Sequence, residues 1–172
     1  QKLIDSKDTL GMLSLIGVSQ DGNFVQFEEM NEHIYLDDFT MNLSTRQVMR
    51  HPRTLTHFGV RSNRMVTEGE RPHRLAVWDL NQGAIVALLP RQRSRGAGGE
   101  YMGLVAALSD SKPLVASGSH DGLLRVWNLD TRLLVGEVNT GGPLSALSFD
   151  PSATRITAQR KDGTSIVYAV PD

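Results

Sequence analysis

The chain has 172 residues with 40% apolar content, enough for one domain with a real core and too apolar for disorder throughout. Eighteen Lys and Arg against 19 Asp and Glu leave a formal charge of -1, so no global field draws it to nucleic acid or a bilayer, and any charged partner has to be met locally. The lack of cysteine removes disulfides, thiolate metal ligands and cysteine nucleophiles; it fits a reducing compartment, so an intracellular location, cytoplasmic or nuclear, is expected.

Residues 1–40 read as a first four-strand unit. Its runs are Gly11 to Ser19, Asn23 to Met30 and His33 to Phe39, with Asp21-Gly22 between the first two. Asp-Gly between alternating apolar runs signals a hairpin, expected as a type I′ turn with positive φ at both residues. Phe27 closes the second run. Glu28, Glu29, Glu32, Asp37 and Asp38 crowd this unit; they read as a charged outer strand that blocks edge pairing, with a basic partner or a cation as the alternative.

Residues 54–89 form a second unit, with Leu55 to Val60, Arg64 to Thr67, Arg74 to Leu80 and Ala84 to Leu89, and an irregular turn at Gly69 to His73. A loop insertion covers 90–101. There Arg91, Arg93 and Arg95 flank Ser94 and lead into Gly96, Gly98 and Gly99. The run reads as a solvated loop between units; a bidentate clamp for phosphate or an acidic peptide, or a phosphorylation site at Ser94, are the functional alternatives. No phosphate loop is present, since neither a Gly-Lys-Ser/Thr ending nor a following helix accompanies the glycines.

The third unit, 102–138, is the clearest, with Leu104 to Leu108, Leu114 to Ser119, Leu123 to Leu129 and Leu133 to Val138. The fourth, 143–172, has Leu144 to Phe149, Arg155 to Gln159 and Thr164 to Val170. Asp121-Gly122 and Asp162-Gly163 repeat the hairpin phrase, each followed six residues after the aspartate by an aromatic, Trp127 or Tyr168. Phe27, Trp78, Trp127 and Tyr168 are spaced by 51, 49 and 41 residues, near the roughly 40 to 45 of one four-stranded blade. No helix-period stretch interrupts the strands, so the class is all-β.

The run from Leu114 to Leu129, with Ser117-Gly118-Ser119-His120-Asp121-Gly122 and Val126-Trp127-Asn128, resembles a WD repeat, and Trp78-Asp79 resembles the end of another. The resemblance implies a β-propeller of four-stranded antiparallel blades, about three and a half to four of them present. It also implies a buried Trp between blades and a hydrogen-bonded Asp in the turn. Asp21, Phe27, Trp78, Asp79, Asp121, Trp127, Asp162 and Tyr168 are its signature positions. The Gly-His dipeptide usual in the family is absent; Tyr101 and Thr140 stand near where its His would fall, so the family's buried hydrogen-bond tetrad is expected to be incomplete. Trp78-Asp79-Leu80-Asn81 and Trp127-Asn128-Leu129-Asp130 lack the Arg of a cullin-ligase receptor ending.

So few blades leave open edges and bare faces that something must cover, first of all the rest of the same propeller in a longer polypeptide. The resemblance implies a non-catalytic scaffold for protein–protein interaction, with Arg61, Glu70, Arg71, Tyr101 and Arg160 at blade ends, and Arg91, Arg93 and Arg95, as candidate contacts. A propeller enzyme would need convergent acids, histidines or a nucleophile, and the innermost strands offer only Ser145 and Ser148. Nucleic acid would need a basic face. No cofactor, metal, membrane or small-molecule substrate is expected: the histidines at 33, 51, 57, 73 and 120 lack zinc-site spacing, and the six methionines form no helical stripe.

Overall fold

A computed structural model describes residues 12–19, 22–30, 35–51, 63–68, 74–92 and 104–171. These form antiparallel sheets with no helix among them. The first sheet holds β1 (Met12–Val18), β2 (Phe24–Met30), β3 (Tyr35–Asn42) and β4 (Val48–His51) in that order. The second holds β5 (Arg64–Glu68), β6 (Leu75–Asp79) and β7 (Ala84–Leu88). The third holds β8 (Leu104–Leu108), β9 (Leu114–Ser119), β10 (Leu123–Asn128) and β11 (Leu134–Asn139), and the last β12 (Leu144–Phe149), β13 (Arg155–Arg160) and β14 (Ser165–Ala169). Each sheet is a blade; the expected strand at Leu55 to Val60 lies outside the described residues.

The blades stack face to face through three apolar cores. Phe24 and Met49 of blade 1 meet Met65 and Leu80 of blade 2. Val66, Leu75 and Val77 of blade 2 meet Leu104, Val115 and Trp127 of blade 3. Ala116, Leu124 and Val126 of blade 3 meet Leu144, Ile156 and Ala158 of blade 4. Strand alternation explains this. Val115 and Trp127 face one neighbour while Ala116 and Val126 face the other, so β9 and β10 are apolar on both sides, as strands buried on two faces must be. Gly118 leaves room for the next blade: a Cβ there would come within 2.4 Å of Leu144 Cδ1.

Turn chemistry repeats and fixes the register of the blades. Asn42, Asp79 and Asn128 end β3, β6 and β10, and each side-chain Oδ1 accepts the N–H groups two and three residues on. Four residues further, Arg46, Gly83 and Arg132 take positive φ, and the N–H after each capping residue reaches back to the residue before the strand paired ahead of it, at Asn23, Asn63 and Pro113, just before β2, β5 and β9.

This register corrects the repeat spacing. Phe27 lies on β2, one strand before the Asn42-capped β3, whereas Trp78 and Trp127 lie on the capped strands β6 and β10 themselves and Tyr168 on β14, the third strand of its sheet. The position equivalent to Trp127 in blade 1 is Met41, and the fourth strand is β4, beyond the expected boundary at residue 40. The physical reason is that Gly-containing hairpins join first to second strands as well as second to third, so the turn phrase alone leaves the register open. Asp21 is outside the described residues.

Two further expectations change. At the hairpins of blades 3 and 4 only the glycine has positive φ, Gly122 at 72° and Gly163 at 87°, while Asp121 and Asp162 do not. Gly122 N–H bonds Ser119 O and Gly163 N–H bonds Arg160 O, a three-residue loop closed by a glycine bulge in place of type I′. Glu28, Glu29, Asp37 and Asp38 do not form a protective edge either, since β2 and β3 are interior strands and Asp38 is buried; Glu32 lies outside the described residues.

Candidate functional site

A buried polar constellation lies between blades 2 and 3. Trp127 Nε1 donates to Ser117 Oγ at 2.9 Å, and Ser117 Oγ donates to Gln92 Oε1 at 2.9 Å. All three side chains are buried, so the relay satisfies groups that would otherwise be costly to leave unpaired. Blade 2 repeats its first link, with Trp78 Nε1 donating to Thr67 Oγ1 at 2.9 Å. Here His51 packs at 6.0 Å from the Trp78 ring and its Nε2 lies 2.8 Å from Thr40 Oγ1.

Gln92 thus accepts from Ser117 in blade 3, whereas Tyr101 and Thr140 are the residues that the sequence places near the family's His in blades 3 and 4. Tyr101 lies outside the described residues, and the buried Thr140 hydroxyl donates to the carbonyls of Gly122 and Gly142 instead. Gln92 falls within the stretch 90–101 that the sequence reads as a solvated, arginine-rich loop, so nothing there marks it as the buried partner of Ser117.

Asp121 organises the hairpin of blade 3. Its carboxylate accepts Ser119 Oγ at 2.6 Å and Leu123 N–H at 3.0 Å, and pairs with Arg125 Nη2 at 3.2 Å. Arg125, itself buried, pairs also with Glu137 at 2.7 Å. In blade 4, Asp162 accepts the N–H and hydroxyl of Thr164, and these bonds with the nearby Arg160 charge hold its pKa down. Asp150 caps the first turn of that blade through Ser152, Thr154 and Arg155, which lower its pKa to about 2. These are turn-fixing carboxylates, spent on their own backbone.

A cleft of about 400 Å³ opens between blades 2 and 3 at the end opposite the Asp121 turn. Asn63, Arg64, Asp79, Asp110, Ser111 and Lys112 line it, so it presents both charge signs and amide groups. Among the described residues no group of three His, Asp or Glu stands close enough to hold a metal ion.

No protein-family model matches the chain. WD repeat-containing protein 90 of Mus musculus is 37% identical over 59 residues, 34% of this chain and 3% of that protein. Angio-associated migratory cell protein of Homo sapiens is 28% identical over 112 residues, 65% of this chain and 24% of that protein. The chain resembles the WD-repeat β-propellers. It spans a quarter or less of the length of these curated relatives. Among solved structures, the computationally designed Ika4 protein matches with a TM-score of 0.64 and 20% identity, over 99% of this chain and 98% of that one. The designed Ika8 protein matches with a TM-score of 0.61 and 20% identity, over 92% of this chain and 45% of that one. Both likenesses concern the fold.

Within this array of blades the signature residues of the resemblance separate. Trp127 is buried in the core shared by blades 2 and 3 and Asp121 anchors the hairpin of blade 3; Trp78 and Tyr168 are half-buried against their cores, and Asp79 caps a turn. Of the candidate contacts, Arg91 is exposed. Arg160 packs its guanidinium over the Gly141-Gly142 loop, where a Cβ on Gly141 would meet Nη2 at 3.0 Å. Arg61, Glu70, Arg71, Arg93, Arg95 and Ser94 lie outside the described residues. The structure adds Arg64, Asp110 and Lys112 at the cleft, which no motif singled out because only the apposition of two blades brings them together.

Proposed function

We propose that this chain is a non-catalytic scaffold that binds other proteins through the loop ends of its blades. The observation that carries the reading is the division of labour among its polar groups. The buried ones are consumed in fixing turns and joining blades, while Arg64, Asp110, Ser111 and Lys112 gather at an open cleft between two blades. Rigid elements that present mixed-charge loops suit recognition of peptides or protein loops. The WD-repeat relatives support the same reading. The absence of cysteine supports an intracellular setting.

Selection of peptides from a displayed random library against the chain tests it. Selected peptides should bind with Arg64→Glu and Lys112→Glu weakening them by about tenfold, that is about 1.4 kcal/mol. Peptides indifferent to both substitutions would remove the cleft from the account. Tight, steeply salt-dependent binding of DNA or RNA in their place would replace the reading with a nucleic-acid one.

A further inference from the structure

Arg64 and Asp79 stand directly opposite each other on β5 and β6, where an acid and a base ordinarily form a cross-strand pair with Cβ atoms roughly 5 Å apart. Here they form none. The Asp79 carboxylate turns to its own hairpin instead. Its Oδ1 accepts the N–H groups of Asn81 at 2.9 Å and Gln82 at 3.0 Å, and its Oδ2 accepts Gln82 Nε2 at 3.4 Å. Arg64 makes no ion pair among the described residues, so the turn has taken the anion that the strand register sets opposite the guanidinium.

Lys112, which blade 3 brings to the same cleft, is in a similar position. Asp110, two residues before it, is engaged in an interaction of its own, and Lys112 makes no ion pair among the described residues either. Both cations stand on pinned backbone. The Lys112 N–H donates to Ser109 Oγ at 3.0 Å and its carbonyl accepts Leu114 N–H at 2.8 Å. Arg64 begins β5 and follows Asn63, whose carbonyl accepts Leu80 N–H at 2.7 Å. Little backbone order is therefore left to be lost when a ligand arrives.

The same bonds occupy the acceptors around the cleft. Besides the Asp79 carboxylate and the Ser109 hydroxyl, the carbonyls of Asn63, Asp79, Lys112 and Pro113 each receive an N–H from the fold. The charged donors of Arg64 and Lys112 remain, beside apolar surface from Leu108, Pro113 and Leu129.

We propose that this cleft binds an acidic segment of a partner protein, with Arg64 receiving the carboxylate that Asp79 withholds and Lys112 supporting it from blade 3. The inference rests on the scaffold reading and names the chemistry the cleft selects. A planar guanidinium takes a carboxylate through two parallel N–H···O bonds, and a lysine adds a point charge. At about 400 Å³ the cleft is at the small end of ligand sites, which suits one acidic side chain and its flanking apolar residues. Arg64 and Lys112 are balanced in formal charge by Asp79 and Asp110, so selection comes from direct contact and not from a long-range field.

Nuclear magnetic resonance titration of the isotope-labelled 172-residue chain with acetyl-Gly-Leu-Glu-Leu-Gly-amide and its Gln counterpart tests this. The Glu peptide should shift the amides of Arg64 and Lys112 saturably and bind at least about tenfold more tightly than the Gln peptide. Arg64→Gln should abolish that preference with circular dichroism unchanged. Asp79→Asn separates the two uses of the carboxylate. Asn42 and Asn128 cap the same turn with an amide oxygen, so the fold should hold while a negative charge beside the ligand disappears, and the Glu peptide should bind about threefold more tightly. Equal binding of the Glu and Gln peptides, no saturable shift at the cleft, or no tightening in a folded Asp79→Asn would each overturn the proposal. A phosphoserine peptide preferred by more than about tenfold would replace the carboxylate with a phosphoryl group. All of these results leave the scaffold reading standing, since the library selection decides that reading separately.

Discussion

Replacing Trp127 tests how the third blade is held. The ring is 5% exposed, sits in the core shared by blades 2 and 3, and donates one hydrogen bond to Ser117. Trp127→Ala should destabilise the chain by about 3 to 5 kcal/mol, from lost burial plus the cavity left between two rigid sheets. Trp127→Phe keeps most of the contact but strips Ser117 of its donor, for which about 1 kcal/mol is expected. The link to Ser117 is isolated by a double-mutant cycle with Ser117→Ala, where a coupling of about 0.5 to 1.5 kcal/mol should appear. Urea titration followed by circular dichroism measures all of these, with Trp78 as an independent fluorescent probe. A loss below about 1 kcal/mol for Trp127→Ala would refute the placement of the ring between packed blades.

Three other outcomes follow from the same geometry. Gly118→Ala places a methyl where Leu144 stands, so it should cost about 1 to 3 kcal/mol, and Leu144→Ala should recover part of that loss in the double mutant. Asp121→Ala should cost more than Glu137→Ala in urea titration. The first removes a turn anchor with three bonds beside a buried Arg125, the second one partner whose side chain is 42% exposed. The Asp150 carboxylate is depressed to about 2 from 3.8, so its ionised form stabilises the fold fully above 3.8 and this contribution fades as pH falls toward 2. Asp150→Asn should therefore flatten the acid limb of the stability curve in that window, measured by urea midpoints against pH.

Much of the fold was legible in the sequence because its signals were local. Alternation, Gly-closed hairpins and Trp127 needed no long-range knowledge, and the third blade follows its predicted strands within a residue or two. The first blade was displaced by one strand because a Gly hairpin and a trailing aromatic occur there between first and second strands. The informative mark was the Asx cap of Asn42, which becomes visible only when set beside Asp79 and Asn128. The site was far less legible. Gln92 is joined to Ser117 across 25 positions of sequence, and the cleft exists only because the first turn of blade 3 meets the strand ends of blade 2. Neither juxtaposition has a local sequence correlate.

The stacking of separate blades, on which the scaffold reading depends, is tested most directly by methyl nuclear Overhauser spectroscopy on the 172-residue chain. A strong cross-peak between a Leu144 methyl and the Gly118 Hα protons is predicted, since these atoms face each other across two sheets. Hα–Hα cross-peaks between β9 and β12, the mark of strands paired edge to edge in one sheet, without the Leu144–Gly118 contact would contradict it.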